Sequence, residues 1–353
     1  MKWMLYGCTG YTGGLIAAEA ARRGLKPVLA GRDARKVKAA ALQYGFEWTS
    51  FPVSGFHGRL EGFDALVLAA GPFVHTYEPA AAECLRVGAC YLDVTGEIPV
   101  FAALYARDAE ARHAGAALIP GMGFDVVPTD CLAVYAVENF RSLYGASPSH
   151  LQIAVCTDGV FSGGTLKTML EMAALPGMGF QVKNGKIIPS PWGARVKSFS
   201  FGKFERTAAG VPMADLLSAQ KSTGAANVET YAVVSESALS WARSLRPLLG
   251  TAVKVGFLRK AAQAAVKAWV RGPDEHTRQN ARSYFYAQAS DGAGRSFEAR
   301  MESIEAYRMT ALCVVNAVET LAQNRPVGAL TPAQAFGADF VLRLPDTHRF
   351  PER

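Results

Sequence analysis

Apolar residues in the first third of the chain come in two alternating rhythms, short unbroken runs and longer amphipathic ones. Lys2 to Tyr6 reads as a strand, Gly13 to Arg23 as a helix, Lys26 to Ala30 as a strand and Ala34 to Tyr44 as a helix, a β-α-β-α succession. Asp64 to Ala69 is a continuous apolar run closed by Gly71-Pro72, the pattern of a strand buried on both faces of a parallel sheet. Pro79 to Val87 follows as a helix stopped by Gly88, then Cys90 to Val94 as a strand, Pro99 to Ala114 as a helix and Ala117 to Ile119 as a strand. The succession predicts an α/β fold with a Rossmann-type doubly wound parallel sheet over 1–122, whose ligand loops lie at the carboxyl ends of the strands.

After Gly121-Met122-Gly123 the strands lengthen and alternate, as in Leu151 to Thr157, Val196 to Phe204 and Glu229 to Ser235. Such strands suit a sheet with one solvated face, so residues 123–303 are expected to form a second α+β domain with a mixed or antiparallel sheet, serving substrate binding or dimerisation. Ala281 to Ala289 and Arg295 to Ser303 flank Asp291-Gly292, a tight-turn signal that marks a hairpin. Tyr307 to Gln323 reads as a long helix, and 304–353 are expected to return to the first domain.

Composition narrows the class. With 353 residues, half of them apolar, and a mean hydropathy of +0.09, the chain suits a soluble two-domain protein. No run approaches the roughly 20 apolar residues of a membrane-spanning helix, and the strand at Lys2 leaves no leader sequence, so a cytoplasmic location is expected. Cys8, Cys84, Cys90, Cys131, Cys156 and Cys313 are scattered through apolar runs without Cys-x-x-Cys pairing, as reduced core thiols are. The net charge of +7 lacks the basic blocks of a nucleic-acid binder, and no nucleic-acid partner is expected.

The chemistry is concentrated at the first turn. Gly7-Cys8-Thr9-Gly10-Tyr11-Thr12-Gly13 follows a strand and opens a helix, where a pyrophosphate needs close backbone approach and the partial positive charge of a helix N-terminus. Gly7 and Gly10 supply the turn and the approach, and Gly13 lets helix and strand pack. At the end of the next strand stands Arg32, whose guanidinium suits the extra phosphate of NADP(H), with Arg35 and Lys36 as helpers; the neighbouring Asp33 keeps NAD(H) as the alternative. No tyrosine has a lysine four residues on, which excludes the short-chain dehydrogenase pattern. There is no His-Glu-x-x-His, no Walker lysine loop and no Gly-x-Ser-x-Gly elbow, so neither metal nor nucleophile chemistry has support.

Four segments together resemble the saccharopine dehydrogenase-like oxidoreductases, a family that includes saccharopine reductases and trans-acting enoyl reductases. They are Gly7 to Gly13, Ala70-Gly71-Pro72-Phe73, Tyr91-Leu92-Asp93-Val94-Thr95-Gly96-Glu97 and Gly123-Phe124-Asp125-Val126-Val127-Pro128-Thr129-Asp130; the tail Thr331-Pro332-Ala333 to Phe336-Gly337 is similar to the enoyl-reductase branch. The resemblance implies that Ala70 to Phe73 lie along the cofactor toward its nicotinamide, that Thr95, Gly96 and Glu97 line the same cleft, and that Gly123 to Asp130 form the hinge. It also implies hydride transfer from NADPH to a C=C or C=N bond of a small or acyl-linked substrate. Tyr91, His75, Tyr77 and Asp125 are proton-donor candidates by position, and Arg195, Arg206, Arg278 and Arg282 could hold substrate carboxylates. Two departures from the family pattern, Cys90 where histidine is common and Glu78 where glycine is common, put substrate preference or activity in question. An NADP-binding sensor or lipid-associated scaffold without turnover is the alternative.

Between Ala238 and Gly272 lie seven basic residues and no acidic one, interleaved with Trp241, Phe257 and Trp269. The stretch is read as helices covering a sheet or making a homodimer contact, with a peripheral membrane or acyl-carrier contact as the alternative.

Overall fold

The computed structural model describes residues 1–158, 180–190, 193–233 and 272–351. The basic stretch 238–272 therefore lies, apart from Gly272, outside the described residues. The chain divides into two compact units, Met1–Val127 with Ala306–Leu344, and Pro128–Glu305 with Pro345–Arg353.

In the first unit β1 (Trp3–Tyr6), α1 (Tyr11–Arg22), β2 (Val28–Gly31), α2 (Ala34–Tyr44) and β3 (Trp48–Ser50) lead into β4 (Ala65–Leu68), α3 (Tyr77–Val87), β5 (Cys90–Asp93), α4 (Ile98–Tyr105), α5 (Asp108–His113) and β6 (Ala117–Ile119). The strands run parallel in the order β6-β5-β4-β1-β2-β3, and a two-residue strand, Gly328–Ala329, adds outside β6. The order reverses between β1 and β4, and ligands of open α/β sheets bind outside the carboxyl ends of strands at such a point. Every residue of β1, β4 and β5 is buried, as the apolar runs of β1 and β4 require, and in β5 the burial extends to the carboxylate of Asp93. Tyr6 closes β1 on an aromatic knot, its ring 5.2 Å from Phe51 and 4.9 Å from Phe56, while its hydroxyl donates to the Phe51 carbonyl.

Where one helix was expected from Pro99 to Ala114, the chain makes two. Arg107 at the break reaches both Glu110 and Glu78, and Asp108 at the head of α5 accepts the Ala329 N–H at 2.8 Å, which draws α5 onto the C-terminal strand. The returning helix Ala306–Leu321 packs along α1, with the Tyr307 ring edge-on to Tyr11 at 5.1 Å and Arg23 donating to Asn316 and Glu319.

The division after Val127, rather than after Met122, has a local cause. The Phe124 N–H donates to Thr310 Oγ1, and a Cβ on Gly123 would stand 2.8 Å from the Thr310 side chain, so this segment is held within the first unit. The end of the chain corrects the expected return of 304–353: His348–Arg349 pairs with a strand of the second unit, so Pro345–Arg353 belong there.

The second unit contains α6 (Val127–Tyr144), β7 (His150–Thr157), the hairpin β8 (Phe180–Lys183) and β9 (Lys186–Pro189), β10 (Val196–Ser200), β11 (Glu205–Gly210), the helix Asp215–Thr223, β12 (Asn227–Val233), β13 (Arg282–Ser290) and β14 (Ser296–Ile304). The sheet order is β10-β11-β12-β7-β13-β14. Among the described strands only β12 and β7 pair in parallel along it, so the sheet is mixed. The expected strand Val196 to Phe204 ends at Ser200, where the chain turns through Phe201–Phe204 into the antiparallel β11. The expectation of one solvated face also fails for the central strands. Leu151, Ile153 and Val155 of β7 are buried on one side, and Ala154 and Cys156 on the other join an aromatic cluster of Phe199, Phe201, Tyr231, Tyr284 and Tyr286. The β13–β14 hairpin forms at the expected place, yet its loop runs from Asp291 to Arg295. Its left-handed residue is Gly294 rather than Gly292, and the Asp291 carboxylate accepts the Ala293 and Arg295 N–H groups. No helix among the described residues is long and apolar enough to cross a membrane.

Candidate functional site

The three glycines of the first turn have three different reasons to be glycine. Gly7, at φ +96°, stands so close to the exit of β4 that a Cβ would lie 2.6 Å from the Ala69 carbonyl carbon and 2.9 Å from the Ala70 nitrogen. Gly13 is buried against the turn itself, where a Cβ would run into the Gly7 carbonyl oxygen and stand 2.8 Å from its carbon. Gly10 is different. It is exposed, in ordinary extended backbone (φ −79°, ψ 167°), and a Cβ there would meet nothing nearer than the Gly7 carbonyl oxygen at 3.4 Å. Neither conformation nor packing within the chain demands a glycine, so the bare Cα leaves room for something that is not protein.

Around that Cα the turn is disposed toward an anion. Gly10 at the N-cap has no side chain with which to cap α1 and the first turn carries no acid, so the positive end of the helix dipole faces the exposed Thr9 and Gly10, beside the partly buried Tyr11 and Thr12. The next helix contrasts with it: Asp33 caps α2 by accepting the Lys36 N–H at 3.2 Å. That engagement leaves Arg32, exposed directly after β2, as the side chain presented at this edge, and among the described residues no carboxylate pairs with it. Arg35 and Lys36 are exposed on the first turn of α2. The turn, the helix end and Arg32 fit a nucleotide diphosphate whose ribose carries a further phosphate.

Three strand-exit loops are stitched together beside this turn. After β4, Ala70 and Gly71 lead through a cis Gly71–Pro72 peptide into a short helical turn, Phe73–His75, and Thr76 Oγ1 donates back to the Ala70 carbonyl at 2.7 Å. After β5, Asp93 Oδ1 accepts the Thr95 N–H at 3.0 Å and Thr95 Oγ1 accepts the Glu97 N–H at 3.0 Å, two successive side-chain turns. The Glu97 carboxylate then accepts the Phe73 and Val74 N–H groups at 2.9 and 2.8 Å. After β6, the Gly121 N–H donates to Asp93 Oδ1 at 2.9 Å and the Met122 N–H to the Asp93 carbonyl at 2.7 Å.

Several expectations change with this geometry. Tyr91 is wholly buried in the core, its hydroxyl donating to Asp93 Oδ2 at 2.7 Å, and burial with the adjacent carboxylate raises its pKa well above the ordinary tyrosine value. It is a structural donor and not a proton source for a substrate. Thr95 and Glu97 are 1% exposed and spend their side chains on loop backbone, so neither touches a ligand directly. Gly96 instead packs against Asp125, since a Cβ there would meet Asp125 Oδ2 at 2.8 Å.

His75 and Asp125 remain exposed, and Tyr77 is partly so. Asp125 faces solvent on its outer side, while the packed chain behind it desolvates the carboxyl and pushes its pKa up to about 6.

The two departures from the family pattern also move away from substrate. Cys90 opens β5, at the end of the strand opposite the loops, its N–H donating to the Asp64 carbonyl, and Glu78 is a surface partner of Arg107. All six cysteines are buried and none is in a disulfide; burial raises the thiols of Cys8, Cys84, Cys90, Cys156 and Cys313, which makes them poor nucleophiles. Arg195 is held by Glu229 and Gln181, Arg206 lies over Phe204, Arg278 donates to the Pro273 carbonyl and Arg282 pairs with Asp346, so each is engaged locally. No group of three or more metal-ligating side chains occurs among the described residues.

Sequence reasoning passed over Asp93 as a structural centre, although the Asp-x-Thr-x-Glu spacing is itself the signal of two consecutive side-chain turns. Burial pushes its carboxyl up to about 6, against the lowering effect of its three hydrogen bonds. The sign follows from linkage. A carboxyl whose folded pKa exceeds its unfolded value contributes stability that is complete below about pH 4 and is lost as pH rises through 6. The full difference is about 3 kcal/mol. Asp93→Asn keeps the oxygen that accepts two N–H groups and lets the Tyr91 hydroxyl turn to accept, so it should flatten that decline. Denaturant unfolding of both proteins from pH 4 to 7 checks this, and parallel profiles would contradict it.

Comparison with known proteins gives three findings. Trans-acting enoyl reductases of Mycobacterium bovis and Mycobacterium tuberculosis are 25% identical over 406 aligned positions, covering 97% of this chain and 95% of theirs. A provisionally named trans-acting enoyl reductase of Mycobacterium tuberculosis is 34% identical over 187 residues, a match that spans 48% of this chain and only 43% of that protein's length. The apo saccharopine dehydrogenase (L-Glu forming) of Saccharomyces cerevisiae superposes with a TM-score of 0.66 over 99% of this chain and 100% of its own, at 12% identity, a likeness of fold. No family model matches the chain.

Proposed function

Since the chain is related along its length to the trans-acting enoyl reductases and shares the fold of saccharopine dehydrogenase, we propose that it is a saccharopine dehydrogenase-like oxidoreductase, an NADP(H)-dependent reductase of an unsaturated acyl-linked substrate. The observation that carries the reading is Gly10, an exposed residue that the fold does not require to be glycine, at the uncapped start of α1. Arg32 supports the phosphorylated cofactor, because the neighbouring Asp33, the residue that would suit the ribose hydroxyls of NAD(H), is occupied as a helix cap. Bound along this edge, the cofactor would supply a hydride. The protein's part is to hold the diphosphate at Gly7 to Gly13, hold the ribose phosphate at Arg32, and present Ala70 to Phe73 to the other end. His75 and Asp125 are the exposed groups from which a proton could come. Reduction of a C=C bond is favoured over a C=N bond because the relatives that align along the whole chain are named enoyl reductases.

Two experiments test this. Arg32→Ala should weaken NADPH binding by about 10- to 100-fold, the loss of one or two charge-assisted hydrogen bonds, while changing NADH affinity little. Equal losses for both nucleotides would remove the case for NADP(H). Incubation with NADPH and a panel of enoyl thioesters and imines, followed by loss of nucleotide absorbance, reads the activity; binding without oxidation by any member would favour a cofactor-binding sensor.

A further inference from the structure

Glu97 sits at a position where a carboxylate is costly. It is 1% exposed, and removing an ion from water costs several kcal/mol unless hydrogen bonds replace hydration. Its oxygens receive two consecutive main-chain N–H groups, Phe73 at 2.9 Å and Val74 at 2.8 Å, at the head of the turn that follows Gly71–Pro72. These are donors that open a short helical turn and lack partners within it. Thr76 Oγ1 holds the other side of the same segment by donating to the Ala70 carbonyl at 2.7 Å. Gly71 lies between these anchors, exposed and without a side chain, one step from the Ala69–Ala70 backbone that Gly7 touches. The clamp is itself fixed, because Thr95 Oγ1 accepts the Glu97 N–H and Asp93 accepts the Thr95 N–H.

We propose that Glu97 is a positioning residue for the reactive end of the cofactor: through the main chain of Phe73 and Val74 it holds Gly71–Phe73 as a rigid wall against the nicotinamide, without touching the ligand. The inference rests on the pyridine-nucleotide reading above and adds a division of labour to it. The phosphate turn and Arg32 anchor the adenosine half, and the Glu97 clamp aligns the other half.

The test separates the halves with 2′,5′-ADP, which carries both adenosine phosphates and no nicotinamide. Glu97→Gln preserves shape and one acceptor oxygen but turns an amide toward one of the two N–H groups. Its affinity for 2′,5′-ADP should stay within about twofold of wild type, whereas NADPH affinity falls about tenfold, or about 1.4 kcal/mol, and most of the emission change of the bound dihydronicotinamide disappears. Unchanged NADPH affinity and emission in the folded variant would overturn the proposal, as would an equal loss for 2′,5′-ADP. Should Glu97→Gln fail to fold, Thr95→Val decides in its place. It removes the hydroxyl that holds the Glu97 backbone and should give the same selective loss, with Thr95→Ser restoring wild-type behaviour. A wild-type protein that binds neither nucleotide would sink the cofactor reading itself, and this proposal with it; a wild type that binds both, with an unselective variant, sinks the proposal alone.

Discussion

Gly10→Ala should lower NADPH affinity on the order of 100-fold, about 2.7 kcal/mol, while the melting temperature of the free protein shifts by no more than about 2 °C. The two halves of this expectation come from the same measurement. An added Cβ meets the Gly7 carbonyl oxygen at 3.4 Å and the Ala69 carbonyl oxygen at 3.9 Å, which is ordinary contact, and the backbone of residue 10 is one that alanine adopts readily. Nothing in the free protein resists the change. A diphosphate drawn onto the α1 N-terminus, however, must come within hydrogen-bonding distance of main-chain N–H groups, and a methyl group on the approach side holds it off. Isothermal titration with NADPH and thermal unfolding without ligand read the two quantities. An undiminished affinity would remove the diphosphate from this turn.

Gly13→Ala is expected to do the reverse. Its Cβ would collide with the Gly7 carbonyl, which is main chain and cannot rotate aside, so α1 must retreat from β1 or the turn must open. Overpacking against rigid backbone places the cost at about 3 kcal/mol, a fall of on the order of 10 °C in the melting of the first unit. Excess NADPH should recover part of that loss, because a ligand that binds only the folded form adds stability by mass action. A Gly13→Ala protein as stable as wild type would mean that helix and turn do not pack as described.

These two glycines show what the sequence made legible and what it hid. Strand, turn and helix over the first thirteen residues follow from apolar periodicity and glycine spacing, and Ala34–Tyr44 appears in the structure with the bounds its pattern predicts. Spacing alone assigned roles to Gly7, Gly10 and Gly13, but the tertiary neighbours make the first and third obligatory to the fold and leave the second unconstrained by it. The loop carboxylates were harder. Glu97 and Thr95 stand in the right segment, yet sequence position next to a ligand edge does not reveal whether a side chain points outward to a ligand or inward to another loop's backbone. The direction was set by the partner, the Phe73 and Val74 N–H groups twenty-odd residues away. Tyr91 failed as a proton donor for the same reason, since alternation along β5 turns it into the core. The helix break at Arg107 depended on Ala329, more than two hundred residues on, and no local window contains it.

The first unit is also finished late. Its α1 face is covered by Ala306–Leu321, Asp64 is reached by Arg325, and the sheet gains a strand at Gly328–Ala329. On the ribosome, therefore, residues 1–127 of this unit are made early yet wait for the whole intervening segment to be translated before their hydrophobic flank is sealed. A nascent chain arrested before residue 306 would expose that flank to proteases and chaperones, and expression of residues 1–127 alone should yield a sticky, poorly folded fragment that becomes soluble when 306–344 are supplied on a short linker.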